Sequence, residues 1–174
     1  MGCRFCETAT LGRRKQLTPD EIVGQWFAAR HSEQQTITNI VFMGMGEPTD
    51  NIEAVLQAIR VLTEHGGPAI APSRISVSTV GRAQGIERLA EFANETGFRQ
   101  LRLAVSLNAP NDEVRQSIMP VNRAEPLADL RAAMDAWPAG DRLPILVEYV
   151  LIPGVNNAPG HAREVAEFLA GLSV

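Results

Sequence analysis

Apolar and polar positions alternate along the chain with two periods, which together predict repeated strand–helix units. Short apolar, β-branched runs predict buried strands at 37–44, 74–79, 101–107 and 144–152. Apolar residues spaced three and four apart predict helices. These helices cover residues 17–30, 51–62, 85–93, 112–118, 127–137 and 160–172. Strands that alternate with helices indicate an α/β fold in which helices cover a parallel sheet.

The start of the first helix carries a clear local signal. Thr18 suits the N-cap, Pro19 suits the first helical position, and Glu21 completes a capping box. The apolar side chains that follow are expected to form one stripe against the core. They are Ile22, Val23, Trp26 and Phe27.

Polar and glycine-rich segments follow each of the four predicted strands. They are GMGEP (44–48), STVG (78–81), SLNAPND (106–112) and IPGVNN (152–157). In parallel α/β sheets and barrels, ligands bind at the edge where the strands end. These segments therefore favour a small-molecule site in an α/β barrel or half-barrel. The alternative is that they are only good turn formers.

Composition narrows the range of functions. A chain of 174 residues with 45% hydrophobic residues fits a single domain, 1–174, with a real core. The net charge of −4 argues mildly against autonomous nucleic-acid binding. No apolar run approaches the roughly 18 residues that a membrane span needs, and the N-terminus has no apolar signal region. We therefore expect a cytoplasmic protein without a membrane partner.

The only two cysteines, Cys3 and Cys6, are separated by two residues. In a cytosolic chain such a pair indicates metal or redox chemistry more often than a structural disulfide. The spacing alone fits a redox couple, half of a zinc site, part of an iron–sulfur site or two unliganded thiols.

The segment after the first strand is more informative. Gly44 and Gly46 would let the backbone approach a ligand closely, and Glu47 offers a carboxylate suited to an ammonium group. Ser78 and Ser106, together with Asn108, would add hydroxyl and amide groups at the same edge. These groups suit a ribose or an amino acid, and the chain has neither a Walker P-loop nor GxGxxG.

With these segments the chain resembles the radical S-adenosylmethionine (SAM) superfamily, and within it the adenine-C2 RNA methyltransferases. The resemblance extends through almost the whole chain in the family's order. It is carried by GCRFCETATLG, LTPDEIVGQ, TNIVFMGMGEP, RISVSTVG, LAVSLNAPNDEVRQSIMPVNR and VEYVLIPGVNN.

The resemblance implies a partial (β/α)6 barrel, incomplete at both termini, that binds a 4Fe–4S cluster and SAM. Cys3 and Cys6 match the second and third cysteines of the family motif CxxxCxxC, whose thiolates hold the cluster. The cluster cleaves SAM to a 5′-deoxyadenosyl radical, which leads to methylation of adenine C2. The positions that match the family's SAM contacts are Gly46, Glu47, Ser78, Ser106, Leu107 and Asn108.

The implied partners are ribosomal RNA, transfer RNA in some members, and an electron donor such as a flavodoxin-type reductant. The first cluster cysteine would fall two residues before Met1, and both methyl-transfer cysteines of the family lie outside the chain. At Asn108 the family commonly has histidine. We therefore expect a core fragment that is inactive alone.

The residues by themselves are also compatible with other functions. One is a radical SAM enzyme that acts on a small molecule, and another is a noncatalytic SAM-binding remnant. A third is an α/β-barrel enzyme with acid–base chemistry, for which Glu47 and Glu148 are candidates by position only.

Overall fold

Four short strands form one parallel sheet in the order β1-β2-β3-β4 in a computed structural model that describes residues 2–12, 15–138 and 143–174. The strands are β1 (Ile40–Phe42), β2 (Ile75–Thr79), β3 (Arg102–Ser106) and β4 (Leu146–Glu148). Their sequential order and parallel pairing require a crossover between each pair of neighbours, and helices provide these crossovers.

Helices precede the first strand and follow every strand. They are α1 (Pro19–Phe27), α2 (Ile52–Thr63), α3 (Ala83–Ala93), α4 (Asp112–Ile118), α5 (Leu127–Asp135) and α6 (Pro159–Leu169). The predicted cap of α1 is confirmed: the Thr18 hydroxyl accepts from the Glu21 amide at 3.4 Å, and Glu21 accepts from the Thr18 amide at 3.0 Å. A π-helical turn, Ala28–Ser32, continues α1.

The two faces of the sheet have different chemistry because side chains alternate along each strand. The face toward the helices is apolar, with Ile75, Val77, Leu103 and Val105 all fully buried in the main core. The register places Ser78 beside Ala104 and Ser106 beside Glu148 on the opposite face. The opposite face is mixed: it carries Ser78, Ala104, Ser106 and Glu148 at its centre, and the exposed Val41 and Leu146 on the two edge strands.

The α/β class with parallel strands is confirmed, but the edge strands are shorter than the predicted runs at 37–44 and 144–152. Strand β4 ends at Glu148 because the following backbone bonds to side chains: the Val150 amide donates to Asn108 Oδ1, and its carbonyl accepts from Asn156. Among the described residues, strand β1 pairs with β2 alone, over the three residues Ile40–Phe42.

One side chain of the predicted stripe on α1 lies elsewhere. Ile22, Val23 and Trp26 pack against the core, whereas Phe27 is 58% exposed and its ring lies 4.4 Å from that of His31. Among the described helices, none combines the length and the apolarity that crossing a bilayer requires.

Candidate functional site

The loops after the four strands meet at one edge of the sheet, as the parallel arrangement requires. Ser106 and Glu148 are the last residues of β3 and β4, and Ser78 is the last but one of β2. Glu47 follows β1, and Asn108 follows β3. The predicted site residues from four segments of the chain are therefore brought to the same edge.

Glu148 joins three strands through one carboxylate oxygen. Its Oε2 accepts a hydrogen bond from Ser106 Oγ at 2.9 Å and another from Ser78 Oγ at 3.2 Å. Its backbone carbonyl accepts from the Leu107 amide at 3.0 Å. From its position in the chain Glu148 was only a candidate for acid–base chemistry, whereas the structure makes it the partner of both candidate serines.

Glu47 links the loop after β1 to the loop after β2. Its Oε1 accepts from the amide and the hydroxyl of Thr49, at 3.1 and 2.5 Å, and its Oε2 accepts from the Val80 amide at 3.0 Å. Glu47 is 8% exposed. Since a carboxylate offers about four acceptor positions, protein donors occupy most of them and about one is left for a ligand.

Two asparagines join the loops after β3 and β4. Asn108 Oδ1 accepts from the Val150 amide at 2.8 Å, and Asn156 Nδ2 donates to the Asn108 carbonyl at 2.8 Å. Asn156 Oδ1 accepts from the Ile152 amide at 2.6 Å. Asn108 adopts φ +57°, a left-handed conformation that asparagine tolerates better than most residues. Sequence reasoning missed Asn156, which stood only as a turn residue of IPGVNN.

Leu107 and Gly46 contribute through the backbone. The Leu107 side chain is 1% exposed within the main core, so this residue can offer a ligand only its main chain. Gly46 has φ +138°, a backbone conformation that side-chain-bearing residues rarely adopt. The backbone conformation that the loop adopts just before Glu47 therefore explains why glycine occupies position 46.

The two thiols lie in a loop that packs against the segments that follow β2, β3 and β4. The Cys6 amide donates to the Cys3 carbonyl at 3.2 Å, which places both residues on one turn, and the Arg4 amide donates to the Ile118 carbonyl at 2.9 Å. Cys3 is 7% exposed. It belongs to a second, smaller core cluster with Ala109 and Met119, and Val80 and Ile152 pack against this cluster.

Cys3 and Cys6 are both free thiols. Burial raises the pKa of Cys3, and the neighbouring Cys6 raises it further. Because the thiolate is the metal ligand, binding a metal would have to release this proton.

Arg115 is a buried cation near the thiols that sequence reasoning did not find. It is 0% exposed, and its guanidinium donates to Asn122 Oδ1 at 2.8 Å, to the Glu125 carbonyl at 2.9 Å and to the Val80 carbonyl at 2.5 Å. Its Nε has no partner among the described residues. Burial lowers the pKa of Arg115, while Asp112 and Cys3 oppose this shift.

The donor set fits part of an iron–sulfur site. Cys3 and Cys6 supply two thiolates from one turn, the ligand type that such clusters use. Within residues 2–12, 15–138 and 143–174, no three His, Cys, Asp or Glu side chains converge as metal ligands. The described residues therefore fit two of the three cysteine positions of the family motif.

A cavity of about 370 Å³ lies between α1, β1 and the loop 44–48, and its lining does not include Ser78, Ser106 or Glu148. Its lining includes Trp26, whose Nε1 is buried without a partner among the described residues, and Phe42. Of the candidate residues it includes Gly46 and Glu47. The site at the strand ends is therefore defined by hydrogen bonding rather than by this cavity.

Comparison with known proteins identifies relatives along the whole chain. The chain is 42% identical over its full length to a probable dual-specificity RNA methyltransferase RlmN 1 of Protochlamydia amoebophila, and covers 48% of that protein. It is 41% identical, again over its full length, to the dual-specificity RNA methyltransferase RlmN of Sorangium cellulosum, and covers 44% of it. The chain thus spans about half the length of these curated relatives.

A solved structure gives the same result for the fold. A radical SAM methyltransferase from Sphaerobacter thermophilus matches 99% of the chain with a TM-score of 0.87 and 42% identity, and the chain covers half of it. The family model described as the radical SAM superfamily matches residues 1–169. With two thiols over the ends of a parallel sheet and a family match along nearly its whole length, the chain belongs to the radical SAM superfamily.

Proposed function

We propose that the chain is the core of an RNA methyltransferase that modifies C2 of adenine in ribosomal RNA, and in transfer RNA where the enzyme has dual specificity. The observation that carries this proposal is the packing of the Cys3–Cys6 turn against the segments that follow β2, β3 and β4. The two relatives named as RNA methyltransferases support the substrate class. The proposal includes a cytoplasmic location and a flavodoxin-type electron donor.

In this proposal Cys3 and Cys6 hold two irons of a 4Fe–4S cluster, and SAM lies at the strand-end edge. When bound, these cofactors supply the one-electron chemistry that activates a carbon–hydrogen bond. The chain's own residues bind and orient SAM. They are Gly46, Glu47, Ser78, Ser106, Leu107 and Asn108.

The thiol loop would limit the access of water to the cofactors. Cys3 lies in the same apolar core cluster as Met119, which is fully buried. An apolar cover of this kind strengthens electrostatic interactions inside the site and keeps reactive species from water.

A chimera tests the substrate class. This chain would replace the matching half of the Protochlamydia relative, and adenine methylation of 23S ribosomal RNA would be measured by mass spectrometry in cells that lack the activity. We expect methylation with the chimera and none with its Cys3→Ala or Cys6→Ala variants. A folded chimera that binds its cluster and releases 5′-deoxyadenosine without RNA methylation would overturn the proposal and favour a small-molecule substrate.

Experiments on the isolated chain test the remaining alternative, a noncatalytic SAM-binding protein. We expect anaerobic reconstitution with iron and sulfide to leave fewer than four irons per chain, because two thiolates hold a cluster poorly. SAM binding by the chain without cluster, together with an inactive chimera, would favour a noncatalytic SAM-binding protein.

A further inference from the structure

The guanidinium of Arg115 is a buried cation without a carboxylate partner. It donates to three neutral oxygens only, which are Asn122 Oδ1 and the carbonyls of Glu125 and Val80. Among the described residues Arg115 forms no ion pair, and its Nε has no hydrogen-bond partner. Burying a cation in this way costs free energy unless negative charge lies close by.

Two carboxylates act on Arg115 electrostatically, but both already interact with other groups. Asp112 Oδ1 accepts two hydrogen bonds from other residues, each at 2.9 Å, and Glu125 Oε1 lies 3.7 Å from Arg82 Nη1. Burial lowers the pKa of Arg115, and these two carboxylates oppose this shift only in part. The described residues therefore leave much of the positive charge of Arg115 uncompensated.

Arg115 contacts the same segments that hold Cys3. Its guanidinium lies against the turn after β2, where a Cβ added to Gly81 would come within 3.0 Å of Arg115 Nη2. The Val80 carbonyl accepts from Arg115, and Val80 packs against the core cluster that contains Cys3. Met119 belongs to this cluster, and its amide donates to the Arg115 carbonyl at 2.6 Å. The cation and the thiol are thus joined through one small apolar region.

The charges of Cys3 and Arg115 influence each other across this region. Burial raises the pKa of Cys3, and Arg115 acts against this shift. Burial lowers the pKa of Arg115, and a charged Cys3 acts against that shift in turn. Because low-dielectric surroundings screen charges poorly, a buried cation here favours negative charge on the thiol turn.

We infer that Arg115 is an electrostatic positioning residue for the cluster that Cys3 and Cys6 hold. Its buried positive charge stabilises the thiolate ligands and raises the reduction potential of the cluster. Reduction adds one electron from the external donor, and Arg115 keeps its proton throughout because a guanidinium does not deprotonate in proteins. The inference rests on the proposed function for the presence of the cluster but not for the RNA substrate.

The reduction potential of the cluster tests this role in the chimera with the Protochlamydia relative. Anaerobic titration with dithionite, followed by electron paramagnetic resonance of the reduced cluster, would compare the chimera with its Arg115→Met and Arg115→Lys variants. We expect Arg115→Met to lower the potential by about 59 mV, a tenfold change in the one-electron equilibrium, because a cation stabilises the more negative reduced state. A change of less than about twofold in that equilibrium would overturn the inference.

The lysine variant separates charge from hydrogen bonding. Lysine keeps the positive charge but lacks the planar fork that reaches three acceptors. We expect Arg115→Lys to stay within about twofold of the unaltered equilibrium. Equal shifts for Arg115→Lys and Arg115→Met would mean that lost hydrogen bonds explain the effect, which would overturn a role for the charge. If Arg115→Met does not fold, Arg115→Gln replaces it with the same expectation, since glutamine is neutral and keeps an amide donor.

Arg102→Met provides the matched control. Arg102 is half-buried at the first position of β3, at the opposite end of the strand from Ser106, and its Nε donates to the Ser73 carbonyl at 2.9 Å. We expect Arg102→Met to leave the reduction potential within about twofold of the unaltered equilibrium. A shift as large as that of Arg115→Met would show that the effect is not specific to Arg115 and would overturn the inference.

The two proposals fail in different ways. A folded chimera that assembles no 4Fe–4S cluster, by iron analysis and absorbance, would refute the cluster of the proposed function and the role of Arg115 with it. A cluster whose potential depends on the charge of Arg115 in a chimera that does not methylate RNA would refute only the substrate. A methylating chimera whose potential is the same with and without Arg115 would refute only the inference.

Discussion

Gly85 is the point where α3 approaches Thr49, and replacing it with alanine should destabilise the protein. An added Cβ at Gly85 would lie 2.4 Å from Thr49 Cβ and 2.8 Å from its Cγ2 and Oγ1. Thr49 Cβ is attached directly to the backbone, so it cannot rotate away. Either α3 or the turn Pro48–Asn51 must move.

Two opposing effects set the size of the change in the free energy of unfolding. Alanine gains about 0.5–1 kcal/mol over glycine inside a helix, whereas overpacking a well-packed site costs about 1–3 kcal/mol. Displacing Thr49 also disturbs its two bonds to Glu47, each contributing about 0.5–1.5 kcal/mol. Gly85→Ala should therefore lower the free energy of unfolding by about 1–3 kcal/mol.

Gly24→Ala provides the control. Gly24 lies in α1, and its added Cβ would meet no atom within 4 Å, so this variant should gain about 0.5–1 kcal/mol. Urea unfolding followed by circular dichroism should separate the two midpoints by about 1 M. If Gly85→Ala unfolds at or above the unaltered midpoint with an unchanged slope, the close approach at Thr49 is not limiting and the reasoning is refuted.

Three further variants test other contacts. Arg115→Met should lower the free energy of unfolding by about 3 kcal/mol or more, since it leaves one buried and two partly buried acceptors without their donor. A urea midpoint equal to the unaltered one would mean that relief from burying a charge offsets this loss. Thr18→Ala should lower the free energy of unfolding by about 1 kcal/mol in the same assay, because it removes the cap of α1. Thr18→Ser keeps a hydroxyl at the cap and should keep most of this stability. Asn156→Ala should speed hydrogen exchange of the Ile152 amide at least about tenfold and leave α2 unchanged; equal exchange would contradict a role for Asn156 in holding this loop.

The periodicity of apolar residues predicted the order of the strands and helices well, and it was most accurate for helices that bury one face. The α4 range matched residue for residue, and the capping box at Thr18 was identified from local chemistry alone. The strand predictions were too long at the sheet edges. A ladder ends where its backbone groups find other partners, and at Val150 that partner is the side chain of Asn108, 42 positions earlier in the chain.

The strand-end residues were predictable as a group, but their contacts were not. Parallel strands must end at one edge, so Ser78 and Ser106 could be placed there from the pattern. Their shared partner Glu148 depends on the register between β3 and β4, which no local pattern specifies. Arg115 was missed because no local pattern on its short helix marks it as buried, and its three acceptors lie 7, 10 and 35 positions away in the chain.

Cross-loop hydrogen bonds connect the four strand ends in series. Glu47 reaches the loop after β2, Glu148 ties β2 and β3 to β4, and Asn156 ties the loop after β4 back to Asn108. Arg115 holds the Val80 carbonyl while Glu47 accepts from the amide of the same residue. A substitution at one of these residues therefore shifts the hydrogen-bonding groups of its neighbours in the series. The effects of paired substitutions on the free energy of unfolding should thus be non-additive. These bonds form between protein groups, so folding orders the donors and acceptors at this edge before a ligand arrives. A ligand that binds there would not have to meet the entropic cost of ordering them.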